Sequence, residues 1–165
     1  MVYRKFKDLN ISELAMGTMR YPVIDGKNDQ IDKEAAKEMF AYALANGVNY
    51  YDTAWGYHGG TSEPITGELL KEYPRESFYL ATKFPGYDVS NFGKVEEIFE
   101  AQLERCQVEY FDFYLIHNVD EHNIDKYLDD DTYHTVSYLL KQKELGRIRH
   151  LGFSFHSTYD TTKRY

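Results

Sequence analysis

The sequence predicts an α/β fold of the (β/α)8-barrel type, with only the first five βα units present behind an N-terminal β-hairpin. Three observations carry this. Five strand-like segments begin at residues 14, 49, 78, 111 and 148, so the starts recur every 29 to 37 residues. Amphipathic helical stripes fill the intervals, as parallel βαβ units require. The turn after the first strand reads Gly17-Thr18-Met19-Arg20-Tyr21-Pro22. It has no G-x-G-x-x-G and no immediate helix, which argues against the dinucleotide-binding open sheet. Polar residues gather instead at the C-terminal ends of several strands, where barrel active sites sit.

Residues 1–13 read as a hairpin, with Tyr3 to Phe6 pairing with Asn10 to Leu14 about Asp8-Leu9. Five βα units then occupy 14–165. Leu14 to Thr18 is the first strand. Its helix places Ala36, Met39, Phe40, Ala43 and Leu44 at i, i+3, i+4, i+7 and i+8, one helical face. Asp32 caps the start, and Gly47 after Asn46 supplies the left-handed stop. Asn49 to Thr53 is the second strand. Its helix opens at Ser62-Glu63-Pro64, with proline in the first turn where no N–H is needed, and continues through Ile65, Leu69, Leu70 and Tyr73. Phe78 to Lys83 is the third strand, followed by the stripe Val95, Ile98, Phe99, Leu103 and Cys106. Phe111 to His117 is the fourth, and its helix carries Tyr133, Val136, Leu139 and Leu140 before stopping at Gly146. Asp129-Asp130-Asp131 suits the positive end of that helix better than a calcium site. Ile148 to Phe155 is the fifth strand, and Ser157-Thr158-Tyr159-Asp160 resembles a capping box. Eight units at this spacing need about 270 residues, near the size of a typical barrel. The chain therefore reads as one domain, the N-terminal part of a barrel that is cut after its fifth strand.

The 165 residues carry 19 Lys and Arg against 27 Asp and Glu, a formal charge of −8. That balance argues against nucleic acid or an anionic membrane as partner, since both need a basic face. No apolar run reaches the roughly 18 residues of a spanning helix, and the start lacks a signal-peptide core. With one cysteine, Cys106, there is no disulfide framework and no cysteine-ligated metal site. A cytoplasmic protein is expected.

The chemistry lies at three strand ends. The second strand runs into Asp52-Thr53-Ala54-Trp55-Gly56-Tyr57, the third ends at Thr82-Lys83, and the fourth ends at His117. Adjacent strands lie about 4.8 Å apart, so Asp52, Lys83 and His117 span roughly 10 Å of one rim. Tyr57, on a glycine-flanked loop, can fold back over them. A free phenol is a weak acid at neutral pH, and an adjacent ammonium stabilises its anion. A carboxylate paired with that ammonium fixes its position. A neutral imidazole can donate to a carbonyl oxygen and orient it. The set suits proton delivery to a carbonyl, with hydride arriving from a separate cofactor. His117 with His156 and Asp52 also suggests a metal-dependent barrel hydrolase, but no H-x-H spacing supports it. His58, His122, His134 and His150 read as solvated, and Cys106 as inert core.

In these segments the sequence resembles the aldo-keto reductase family. Met16-Gly17-Thr18-Met19, Asp52-Thr53-Ala54-Trp55-Gly56-Tyr57 with Ser62-Glu63, Thr82-Lys83, Asp112-Phe113-Tyr114-Leu115-Ile116-His117 and Gly152-Phe153-Ser154-Phe155-His156 occur in the family's order. The resemblance implies a (β/α)8 barrel, NADPH as hydride donor, and an aldehyde or ketone as the small-molecule substrate. It implies Tyr57 as proton donor, Lys83 and Asp52 as its tuning pair, and His117 as the residue that orients the carbonyl. Gly17, Thr18, Met19 and Asp52 would lie along the nicotinamide end of the cofactor, and Ser154 would hold its carboxamide. Phe155 stands where many members have asparagine. Some bacterial members append a ferredoxin-like cysteine cluster after the barrel, which nothing here could supply.

Two other readings come from a different class. One is a truncated, non-catalytic product; the other is a regulatory relative, such as the potassium-channel β-subunits. Five strands without closing partners leave two open sheet edges, from which self-association is expected. The family's grip on the pyrophosphate and adenine lies in loops after the seventh and eighth strands. These residues alone are therefore expected to bind NADPH weakly and to reduce carbonyls poorly.

Overall fold

The structure, a computed structural model, describes residues 1–163. Strands β1 (Tyr3–Phe6) and β2 (Leu9–Ser12) form an antiparallel hairpin with Phe6 opposite Leu9. Its two-residue turn is Lys7-Asp8, with Lys7 in the left-handed region at φ 54°. The second strand thus starts one residue earlier than the sequence pattern predicts, and Leu14 lies outside it. Ser12 ties the hairpin to the main sheet through reciprocal bonds. Its N–H donates to Asn49 Oδ1 at 2.8 Å, and its hydroxyl oxygen accepts from the Asn49 N–H at 3.1 Å.

The main sheet is parallel and in chain order: β3 (Met16–Gly17), β4 (Tyr50–Asp52), β5 (Tyr79–Phe84), β6 (Phe111–Val119) and β7 (Ile148–Phe155). A helix follows each strand, in agreement with the predicted units: α1 (Lys33–Ala45), α2 (Ser62–Leu70), α3 (Val95–Cys106), then α4 (Ile124–Leu128), α5 (Asp130–Tyr133) and α6 (Thr135–Glu144), and last the single turn α7 (Tyr159–Thr162). Asp32 accepts from the Ala35 N–H at 3.1 Å and caps α1. The acidic run caps α6 from a distance, because Asp130 accepts from the N–H groups of Val136 at 2.7 Å and Ser137 at 3.0 Å. The stripe predicted for the fourth helix is split, because Tyr133 ends α5 and the left-handed His134 separates it from α6; α4 carries no periodic stripe of its own.

One register row decides where the site residues on the strands point. Gly17 pairs with Asp52, Asp52 with Ala81, Ala81 with Phe113, and Phe113 with His150. Strand side chains alternate faces, so Lys83, Leu115, His117, Gly152 and Ser154, at even offsets from that row, share its face. The other face presents Tyr51, Leu80, Phe84 and Tyr114, all fully buried beneath the helices. Phe40, Leu70, Phe99 and Leu139 meet them from α1, α2, α3 and α6. Helices α2 and α3 approach so closely that a Cβ at Gly67 would lie 2.5 Å from the Cys106 carbonyl. At the opposite end of the site-bearing face, Phe6 of the hairpin packs on Phe113 at 5.6 Å and His150 at 5.2 Å. The hairpin covers the N-terminal ends of the strands, leaving their C-terminal ends to the site.

Candidate active site

Lys83 is the centre of the cluster. It is the next-to-last residue of β5, its side chain is 7% exposed, and its ammonium uses all three protons. One goes to Asp52 Oδ1 at 2.6 Å, one to the Thr53 carbonyl at 2.8 Å, and one to the Tyr57 hydroxyl oxygen at 3.2 Å. The ammonium also lies 4.8 Å from the centroid of the Tyr57 ring. Its charge is thus held beside a phenol oxygen and balanced by a carboxylate.

The loop that carries Tyr57 is pinned by its neighbour. His58 is 3% exposed, not solvated as expected from sequence. Its Nδ1 donates to the Asn28 carbonyl at 2.6 Å and its Nε2 accepts the Tyr21 N–H at 3.0 Å. These two bonds assign a neutral tautomer and fasten the loop to the segment after β3. The left-handed backbone at His58 and Gly59 turns the chain from Tyr57 into α2.

His117 completes the cluster. Its imidazole meets the Tyr57 ring edge-on, with centroids 6.0 Å apart and planes at 81°. Burial, the Lys83 charge and His156 hold its pKa down to about 4, so the ring is neutral at physiological pH. Nδ1 is buried and has no partner among the described residues. Just beyond it β6 bulges, since Ile116 pairs with Phe153 while Val119 pairs with Phe155. Asn118 takes φ 55° there, and its N–H donates to the Ser154 hydroxyl at 2.7 Å. The bulge brings Ser154 beside the end of β6.

The residues expected along a cofactor divide in two. Gly17 has open space where a Cβ would stand, and Met19 is 55% exposed. Asp52 and Ser154 are partly accessible. Thr18 instead turns inward: its N–H and hydroxyl both donate to the Asp52 carbonyl, at 2.9 and 3.0 Å, and its hydroxyl also pairs with Ser62 at 2.8 Å. It braces the Asp52 backbone. Among the described residues no group of three His, Cys, Asp or Glu side chains could hold a metal ion. No helix among them is long and apolar enough to cross a membrane.

Sequence reasoning missed a second layer behind Lys83. Glu63 on α2 is fully buried and accepts at Oε1 from the Thr82 hydroxyl and from Gln102 Nε2, both at 2.6 Å. Gln102 Nε2 also donates to the Lys83 carbonyl at 3.0 Å, and Gln102 Oε1 accepts from Tyr114 at 2.6 Å. Arg105 reaches Glu63 Oε2 at 3.4 Å from a seat 3.6 Å over the Trp55 ring. Burial raises the Glu63 pKa, against the lowering pull of its hydrogen bonds and of Arg105. A signal existed: Gln102 falls on the apolar face of α3 among Phe99, Leu103 and Cys106, where a polar residue needs a partner.

The Aldo/keto reductase family model matches residues 13–164. This chain belongs to that family. It is 31% identical over 162 residues to a probable aldo-keto reductase of Glycine max, covering 93% of this chain and 44% of the relative. It is 27% identical over 162 residues to the NADH-specific methylglyoxal reductase of Escherichia coli, covering 88% of this chain and 48% of that one. The holo form of an aldo-keto reductase from Bacillus halodurans superposes with a TM-score of 0.75 at 28% identity, over 94% of this chain and 50% of the other. The chain spans about half the length of the relatives it matches. Its five-stranded parallel sheet is part of a (β/α)8 barrel.

Proposed function

We propose that these residues form the acid-delivering half of a nicotinamide-dependent carbonyl reductase site, with Tyr57 as proton donor. The observation that carries the reading is the Lys83 ammonium, bonded at once to Asp52, the Thr53 carbonyl and the Tyr57 oxygen. Lys83 donates to the phenol oxygen, so the Tyr57 proton is free to pass to a substrate oxygen. The phenolate left behind keeps its bond to the ammonium, which stabilises the charge as it develops. Asp52 balances Lys83 and fixes its direction. His117, neutral, donates to the carbonyl oxygen and turns it toward Tyr57. The substrate is an aldehyde or ketone, and the product an alcohol.

NADPH is the proposed cofactor; when bound, it supplies the hydride. Gly17, Asp52 and Ser154 fit its nicotinamide end, since the register puts them on the site-bearing face, and Met19 is the exposed residue two positions after Gly17. Thr18 contributes by bracing Asp52 from behind. The relative named as NADH-specific makes the choice between the two nucleotides part of the test.

The experiment uses the 165-residue chain and the same residues joined to the C-terminal half of the Bacillus halodurans relative's barrel. NADPH and NADH binding are followed by nicotinamide fluorescence, and reduction of an aromatic aldehyde by loss of absorbance. Turnover is expected in the joined form. Tyr57→Phe should retain cofactor binding and lower turnover by at least about 100-fold, the scale of a lost general acid. Wild-type turnover in that variant would reject Tyr57 as donor.

A further inference from the structure

We propose that Tyr87 is a positioning residue of this site: its ring, set between the Gly56 backbone and the His117 imidazole, walls the imidazole off from water. The inference rests on the reading of His117 as the residue that orients the carbonyl. Tyr87 lies in the loop after β5, four residues beyond Lys83 and outside the segments that carry the family resemblance.

Its ring meets His117 edge-on, with centroids 5.2 Å apart and planes at 89°. Tyr57 makes the same kind of contact with that imidazole at 6.0 Å. Two aromatic rings therefore bracket one histidine. The Tyr87 hydroxyl is seated on Gly56, where a Cβ would lie 2.2 Å from its oxygen. Gly56 has φ −93°, a conformation any residue adopts. The absence of a Cβ at Gly56 leaves the space that the Tyr87 hydroxyl occupies, and a Cβ there would push that ring aside.

The charged and titratable groups facing the imidazole are Lys83, His156, Tyr57 and Tyr87. Lys83 opposes protonation by charge; the two phenol rings oppose it by excluding water. Of the two, only Tyr87 has no bond to the ammonium, so it can be altered without touching the Lys83 pair. With the ring gone, water reaches the imidazole and the protonated form is solvated. A neutral ring that donates one hydrogen bond would then give way to a cation as pH falls.

The test is an NMR titration of the histidine side chains in the 165-residue chain, which requires neither cofactor nor turnover. Its outcome is therefore separate from that of the reductase assay. Wild-type His117 should stay neutral until pH falls to about 4. Tyr87→Ala should raise its midpoint by roughly one unit or more, toward the value of a solvated histidine. Tyr87→Phe keeps the ring and should leave the midpoint in place. Gly56→Ala keeps Tyr87 but displaces it, and should shift His117 upward as well. The His58 signal, held between Tyr21 and Asn28, reports the fold in every sample. Should Tyr87→Ala disturb it, Gly56→Ala decides. An unchanged His117 midpoint in the variants that keep the His58 signal would overturn the proposal, as would a shift in Tyr87→Phe equal to that in Tyr87→Ala.

Discussion

At the scale of single residues, the site is built by satisfying one buried cation. An ammonium leaving water must find an acceptor for each proton, or the cost of several kcal/mol is not offset. Lys83 finds three, and two of them, Asp52 and Tyr57, are the groups the proposed chemistry uses. Their identity was legible because carboxylate, phenol and amine stand at the ends of consecutive units. His58 was not legible, because nothing in its neighbourhood distinguishes a solvated loop histidine from one with both nitrogens used. His117 gives a pH prediction. Its folded-state pKa, about 4, lies below the ordinary 6.5. Between those values the unfolded chain binds a proton that the folded chain excludes. The neutral ring's contribution is complete above pH 6.5 and is lost as pH falls toward 4. After allowance for solvent screening it is on the order of 2 kcal/mol. His117→Asn should flatten the pH dependence of stability by about 1 kcal/mol between pH 7 and pH 5, which span the upper part of this window, as read from urea midpoints.

At the scale of elements, the helices were legible from their stripes and caps, and the polar layer between them was not. Asp32, Gly47 and the stripes of α1 and α3 act within a few residues of sequence. Glu63 and Gln102 are 39 residues apart and meet only after α2 and α3 pack. That layer joins helix packing to the site, since Gln102 holds the carbonyl of Lys83 itself. Glu63→Ala would strand the Thr82 hydroxyl proton in a dry interior and take the carboxylate from Arg105, while the Gln102 amide keeps the Thr82 oxygen and the Lys83 carbonyl as acceptors. A loss of about 2–4 kcal/mol is expected from chemical denaturation, in line with unsatisfied buried groups. Glu63→Gln, which keeps an acceptor, should lose less.

At the scale of the whole molecule, the sheet has two edges, β3 and β7, and closure is the feature that distinguishes a barrel from this arrangement. Strand β3 is only two residues long, so it offers little backbone for pairing. Strand β7 runs for eight residues and exposes Phe153 at 43%. An edge of that length with an apolar side chain is a template for association. The isolated chain is expected to self-associate through β7. Phe153→Lys should shift sedimentation toward monomer without changing the circular-dichroism spectrum. A monomer for both proteins at high concentration would reject the expectation.

The alternation of strand and helix, the helix caps and the choice of Asp52, Tyr57, Lys83 and His117 as candidate site residues were read from the sequence alone. Each depends on local periodicity or on a residue's chemical type, which folding does not alter. Tertiary structure decided the rest. It turned Thr18 from the cofactor side to the back of Asp52, buried His58, placed Tyr87 on Gly56 and assembled Glu63 with Gln102. Each of these depends on a contact between residues distant in the chain, whose existence follows from register and helix packing. A side chain's neighbours are set by the space those elements leave, and no local pattern encodes that space.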